Sequence, residues 1–369
     1  MRRFLYLFSL AAVLTACGND NSDAIFNGKI HPVDDSRTVS RNVVSKSVVL
    51  HGDNTGMIAV YDSLLICWDP KYKDYFVDVF NVDTGREIGY FCKRGQGDRE
   101  ASSVGTVIQL FKRNGDLMTL FHAFAESKLF FWNISESVRM GETVYDTIVP
   151  YKTTPIFFPF YVGEDTLLAY KRDSEHNTQH QAMAPYYEKR TVTTNRLLEE
   201  LPIYKEKVLK NDNLSEEAFD LSRLLYTWDY LKPDGSKIVQ VMQFLPQLNI
   251  IDVRSGQVTA YRLKEKPDYS SIFQKNMEDA TIFYNHVCAD DRYIYATYWG
   301  KEPWNDRLGV TLPTFNTIHI FSWQGELLYN LKTDRSFYRV WNDPVRHRLY
   351  TIDLNTDEVR YLDLKELGL

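Results

Sequence analysis

Cys17 is the residue whose neighbours prescribe a definite reaction. Leu14-Thr15-Ala16-Cys17 matches the bacterial lipobox, in which the thiol takes a diacylglyceryl group and the amine freed by cleavage is then acylated. The residues before it agree: Met1-Arg2-Arg3 supplies a charged start, and an apolar run from Phe4 to Val13 follows, the layout of an export signal. That run is shorter than the roughly 20 apolar residues of a spanning helix, so residues 1–16 are expected to be removed rather than to cross the bilayer. Acyl chains on Cys17 would then anchor the chain, each buried methylene contributing about 0.8 kcal/mol.

Elsewhere, chemistry has to be assembled from separate segments. Gly-x-Ser-x-Gly, a P-loop, a dinucleotide-binding glycine pattern, an EF-hand loop and Cys-x-x-Cys do not occur in the sequence. His176 and His180 stand four apart, a metal-compatible spacing on a helix, but their surroundings are polar on every side and supply no third ligand. The carboxylate pairs Glu164-Asp165 and Asp290-Asp291 sit where tight turns are expected, and solvated turn residues are the simplest reading. Two clusters combine charge with hydrogen-bonding or aromatic groups suited to holding a ligand: Arg94, Gln96, Arg99 and Glu100 in one segment, and His286, Trp299, Trp304, Asp306 and Arg307 in another. No catalytic, cofactor-binding or metal-ligating set is expected.

The elements that would position these residues come from an internal repeat. An apolar strand, a short polar turn and a second apolar strand recur with turn residues Asp62, Asn114, Asp165, Asp234, Asp290 and Asp343, at steps of about 51 to 69 residues, the scale of a propeller blade. A second hairpin follows in several copies, its turn closed by Gly85, Gly256 or Gly325, where a positive φ is needed. Two hairpins per unit predict four-stranded antiparallel blades, and six units predict an all-β, six-bladed β-propeller. The last unit lacks a strand, so residues 43–50 are expected to close the ring as its outer strand. The domain plan is a signal peptide over 1–16, a lipid-anchored tether over 17–40 and the propeller over 41–369. Loops joining second to third strands, and one blade to the next, share one face, and both candidate clusters fall on such loops or beside them.

With Cys17 acylated, Cys67, Cys92 and Cys288 remain, an odd number. Cys67 and Cys92 would lie two strand spacings apart, about 9.6 Å, beyond the reach of a disulfide. With 49 Asp and Glu against 43 Lys and Arg, the chain lacks the basic surplus that nucleic acid requires.

The segment Lys93-Arg94-Gly95-Gln96-Gly97-Asp98-Arg99-Glu100 resembles the Gly-x-Gly-Pro-Gly-Glu turn after the first blade of TolB-like six-bladed propeller lipoproteins of the Bacteroides type. Asp98 stands where Pro is usual and Arg99 where the second Gly is usual. The resemblance extends over nearly the whole chain and implies an outer-membrane lipoprotein of the cell envelope, but no activity. Taken with the missing catalytic motifs, the expected function is a non-catalytic binding or scaffolding propeller for a protein, peptide or glycan ligand. The alternative is a carbohydrate or lactone enzyme of hydrolase or lyase type, with acid and base groups converging at the channel mouth.

Overall fold

The computed structural model describes residues 25–52, 56–69, 72–105, 109–151, 156–171, 181–210, 225–263, 281–301 and 315–369. The signal, Cys17, His176, His180, Trp304, Asp306 and Arg307 lie outside them.

The chain enters through β1 (Gly28–Pro32), β2 (Val39–Val43) and the two-residue β3 (Lys46–Ser47). A first antiparallel sheet follows in chain order: β4 (Met57–Tyr61), β5 (Leu64–Trp68), β6 (Tyr75–Asn81) and β7 (Glu87–Lys93). The second holds β8 (Phe111–Arg113), β9 (Asp116–Ala123), β10 (Lys128–Asn133) and, after helix α1 (Ile134–Met140), β11 (Tyr145–Pro150). The third opens with β12 (Ile156–Gly163) and β13 (Thr166–Lys171). Then β14 (Gln181–Met183) leaves it, β15 (Tyr186–Thr191) and β16 (Leu197–Pro202) complete it, and β17 (Val208–Lys210) pairs with β14 as a separate ribbon. The fourth comprises β18 (Thr227–Leu231), β19 (Lys237–Met242), β20 (Gln247–Asp252) and β21 (Val258–Arg262), with β1 added parallel to β21. The rest are β22 (Ile282–Ala289), β23 (Tyr293–Lys301), β24 (Phe315–Ser322), β25 (Leu327–Asp343), β26 (Arg348–Asp353) and β27 (Val359–Asp363).

The arrangement is an all-β propeller, but the expected six four-stranded blades are corrected by the hydrogen bonding. Four discrete blades stand as separate sheets, while β22 to β27 run with β2 and β3 as one eight-stranded sheet. The cause is β25, a strand of 17 residues without Gly or Pro. Its first half pairs with β24 and its second with β26, so no break divides the sheet where the repeat implied one. Closure also differs from a single strand over residues 43–50. Val43 ends β2, parallel to β25; Lys46 and Ser47 pair with β27, and the Val48 N–H donates to the Val359 carbonyl at 2.8 Å. The span assigned to the tether contains β1 and the first two residues of β2, so chain that reads as polar linker is strand once sheet edges offer it ladder partners.

Burial follows from sheets covered on both faces. β9 and β10 are buried along nearly their whole length instead of alternating, because each sheet packs against a neighbour on either side. The core between the first two sheets is aromatic: Trp68 stacks on Phe76 at 5.8 Å and Phe121 on Phe130 at 5.0 Å. Tight turns carry glycine where a side chain would collide. At Gly85 φ is +67°, and a Cβ would lie 2.1 Å from the Val49 carbonyl oxygen. The helix α1 starts where the Asn133 side chain accepts the Glu136 N–H at 2.9 Å and stops at Gly141, φ +72°. No helix among the described residues is long and apolar enough to cross a membrane.

Candidate functional site

Strands β4, β8, β12, β18, β22 and β25 place residues at or beside one cavity of about 440 Å³, which marks the central axis. Tyr61, Phe111, Tyr161, Leu231, Asp290 and Pro344 are among its walls. Above that cavity the axis is filled: the rings of Tyr230 on β18 and Trp341 on β25 meet edge to face at 6.0 Å. The Trp341 indole donates to the Val60 carbonyl at 3.0 Å, tying β25 to β4.

Toward the N-terminal ends of the same strands lies a different environment. Arg339 on β25 reaches across to β18, its guanidinium carbon 5.2 Å from the centre of the Trp228 ring. The His286 ring, on β22 between those strands, is 5.7 Å from Trp228. Burial draws the Arg339 guanidinium down to about 10, although its residue keeps some accessible surface. Burial also pushes His286 well below the usual histidine range, with repulsion from Arg339 as a second cause, so the imidazole is neutral. His286 is 9% exposed and its Nδ1 has no hydrogen-bond partner. Beside it, the Tyr338 hydroxyl donates to the Gly56 carbonyl at 3.1 Å. The arrangement offers one cation, one neutral imidazole and an aromatic face, a combination suited to binding.

Of the two described residues of its expected cluster, His286 and Trp299, the structure brings His286 into a polar group on the axis. Trp299, on β23, packs edge-on against Phe315 at 5.6 Å and belongs to the sheet core. The other segment forms a closed loop stitched by Gly95 N–H to the Ala101 carbonyl at 2.9 Å. Arg94 serves that loop: its guanidinium lies 4.2 Å from the Phe76 ring centre and donates to the carbonyls of Tyr72 and Ser102. Glu100 pairs with Lys93 at 2.7 Å and accepts the Gly97 N–H at 3.1 Å, and these bonds hold its carboxyl below the usual range. Gln96 is exposed, and Arg99, also exposed, hovers 5.7 Å from the Tyr145 ring. Among these residues only Gln96 and Arg99 present side chains outward.

Asp290, which lines the opposite cavity, and the turn residue Asp165 are committed to local hydrogen bonds. Asp290 accepts the N–H groups of Arg292 and Tyr293 at 2.7 Å each, the Tyr295 hydroxyl at 2.8 Å and the Asn342 amide at 3.2 Å. Asp165 accepts both the N–H and the hydroxyl of Thr193 at 2.8 Å. No group of three His, Cys, Asp or Glu among the described residues could hold a metal ion. Cys67, Cys92 and Cys288 are free and buried.

Trp228 and Arg339 did not enter the sequence reading as site residues. One signal was available for Arg339: it is the only charged residue in the otherwise apolar run Phe337-Tyr338-Arg339-Val340-Trp341. For Trp228 nothing local separated it from a core tryptophan.

No family model matches this chain, and no curated protein matches it. Solved structures do. A member of the DUF4221 family from Bacteroides vulgatus ATCC 8482 matches with a TM-score of 0.50 at 12% identity, covering 89% of this chain and 94% of that one. A Bacteroides fragilis NCTC 9343 protein provisionally described as exported gives 0.49 at 13% identity over 85% and 88%. The β-propeller domain of Myceliophthora thermophila Cps50 (Swd1) gives 0.43 at 12% over 86% and 99%. At these identities the likeness to the Bacteroides vulgatus protein establishes the propeller fold and nothing finer.

Proposed function

We propose that the chain is a binding or scaffolding propeller of the bacterial envelope, related to the TolB-like lipoproteins of the Bacteroides type and held to the outer membrane through acylated Cys17. It would present its axial mouth to a protein, peptide or glycan. The observation that carries the binding reading is the meeting of Trp228, His286 and Arg339, where among the described residues neither the His286 ring nor the Arg339 guanidinium makes a hydrogen bond. Binding sites of this kind combine apolar rings with a few convergent polar groups. The lipobox supports the anchor, since no other feature in residues 1–23 needs a cysteine beside a small-residue cleavage site.

The test is affinity capture from detergent-solubilised envelopes, run beside a glycan array, with the parent protein and Trp228→Ala. The reading expects a retained protein or glycan that the variant loses. A variant of native melting temperature that retains everything the parent does would overturn the assignment of this mouth.

A further inference from the structure

We propose that Arg339, His286 and Trp228 form a site for one oxyanion, the carboxylate or phosphate group of a ligand entering the axial mouth. This rests on the binding-propeller reading and names the chemistry it would recognise.

The argument begins with the cost of a buried charge. A guanidinium removed from water is destabilising unless an anion or several hydrogen bonds replace its hydration. Three other partly buried arginines obey this rule. Arg346 pairs with Asp83 and Asp62, Arg360 with Glu358 and Ser45, and Arg190 with Glu188. Among the described residues Arg339 has no carboxylate and no hydrogen-bond acceptor, only the Trp228 ring. A strand of the axis thus carries a desolvated cation that nothing among the described residues explains.

Position supplies the second step. The indole can support the flat side of the guanidinium, and a stacked guanidinium keeps its N–H edge for in-plane bidentate pairing with a planar carboxylate or a phosphate face. His286 approaches the same indole from β22, and among the described residues no hydrogen bond reaches its ring. A neutral imidazole can donate one N–H, so it adds a hydrogen bond without adding charge. The three residues come from β18, β22 and β25, so the site is assembled across sheets and no linear motif could announce it. Tyr230 and Trp341 close the axis beneath, so a ligand would have to approach from the mouth side.

The experiment uses the full chain in a non-ionic detergent, titrated with sodium phosphate or sodium glucuronate at constant ionic strength, with sodium chloride and neutral glucose as controls. At least one anion should raise the melting temperature saturably, and Arg339→Met should weaken its apparent affinity at least tenfold, while Arg37→Gln, at an exposed ion pair, leaves it unchanged. A response to phosphate alone marks a phosphate-bearing ligand, and one to glucuronate alone a carboxylate-bearing one. If the methionine variant does not fold, Arg339→Lys and His286→Gln serve, each expected to weaken binding several-fold. No response beyond chloride, or an equal response in the Arg339 variants, overturns the site. Capture from envelopes separates the two claims. A parent that binds anions but retains no envelope ligand upholds the site and defeats the scaffold reading. Undiminished capture by Arg339→Lys defeats the site and leaves the scaffold reading standing.

Discussion

Replacing Gln109 with alanine should cost about 2 to 4 kcal/mol of stability, assuming one to two kcal/mol for each of two orphaned backbone groups. Gln109 precedes β8 and is 9% exposed. Its amide nitrogen donates to the Tyr161 carbonyl at 2.8 Å, and its amide oxygen accepts the Tyr161 N–H at 2.8 Å. One side chain thus imitates a neighbouring strand for a residue of β12, whose outer edge has no ladder partner. Truncation leaves both Tyr161 groups half-buried and unpaired, which places the estimate below the fully buried limit. The Gln109 backbone itself stays held, because the Thr119 hydroxyl donates to its carbonyl at 2.7 Å. Urea unfolding by linear extrapolation measures the change. Gln109→Glu keeps the acceptor and loses the donor, so it should cost a good part as much at neutral pH and less where the carboxyl is protonated. A Gln109→Ala loss under about 0.5 kcal/mol, the range of ordinary surface changes, would refute the reasoning.

Burial, with the charge of Glu87 second, raises the Asp78 carboxyl to about 7, so between about pH 4 and 7 the folded state binds the proton more tightly than the unfolded state and stability falls as pH rises through that window. Asp78→Asn should therefore raise the melting temperature at pH 8 and not at pH 4; equal shifts at both would count against it. Cys67, Cys92 and Cys288 should resist a thiol reagent in the native protein and give three equivalents after denaturation; rapid native labelling would contradict their burial. Cys17→Ser should abolish partition into a detergent phase, and unchanged partition would remove the anchor. Gly95→Ala should disturb the loop over 94–101 without unfolding the sheets, because a Cβ there would lie 1.9 Å from a Glu100 carboxylate oxygen; an unaltered Lys93–Glu100 pair in a variant structure would refute this.

Propeller class was legible because hairpin turns repeat visibly, and the glycines at 85, 256 and 325 all adopt the positive φ that their positions demanded. Blade division was not, because a strand of uninterrupted propensity such as β25 gives no sign of where one partner strand hands over to the next. The polar residues of β1 and β2 look like linker, since edge pairing depends on a neighbour's backbone and leaves little trace in side-chain pattern. At the site, the described neighbours of His286, Trp228 and Arg339, lie in strands 53 or more residues away, beyond what sequence proximity can draw together. Arg94 and Glu100 have the residue types of a binding loop, but types alone cannot show that their donors and acceptors close upon the loop itself.

The three short strands at the chain's entrance also determine how the molecule would bear load. β1 lies parallel to β21 with five residues in register, β2 parallel to β25 with five more, and β3 against β27. Tension applied at the N-terminus along a parallel pair stretches its bonds together in shear instead of opening them one after another. A pull from that end would meet first the fourth sheet, then the eight-stranded sheet, before reaching β4. The entrance therefore acts as a harness, spreading force over separate bodies of the ring, and cutting the chain within residues 33–38 would confine the strain to β21 and leave the rest of the ring unloaded.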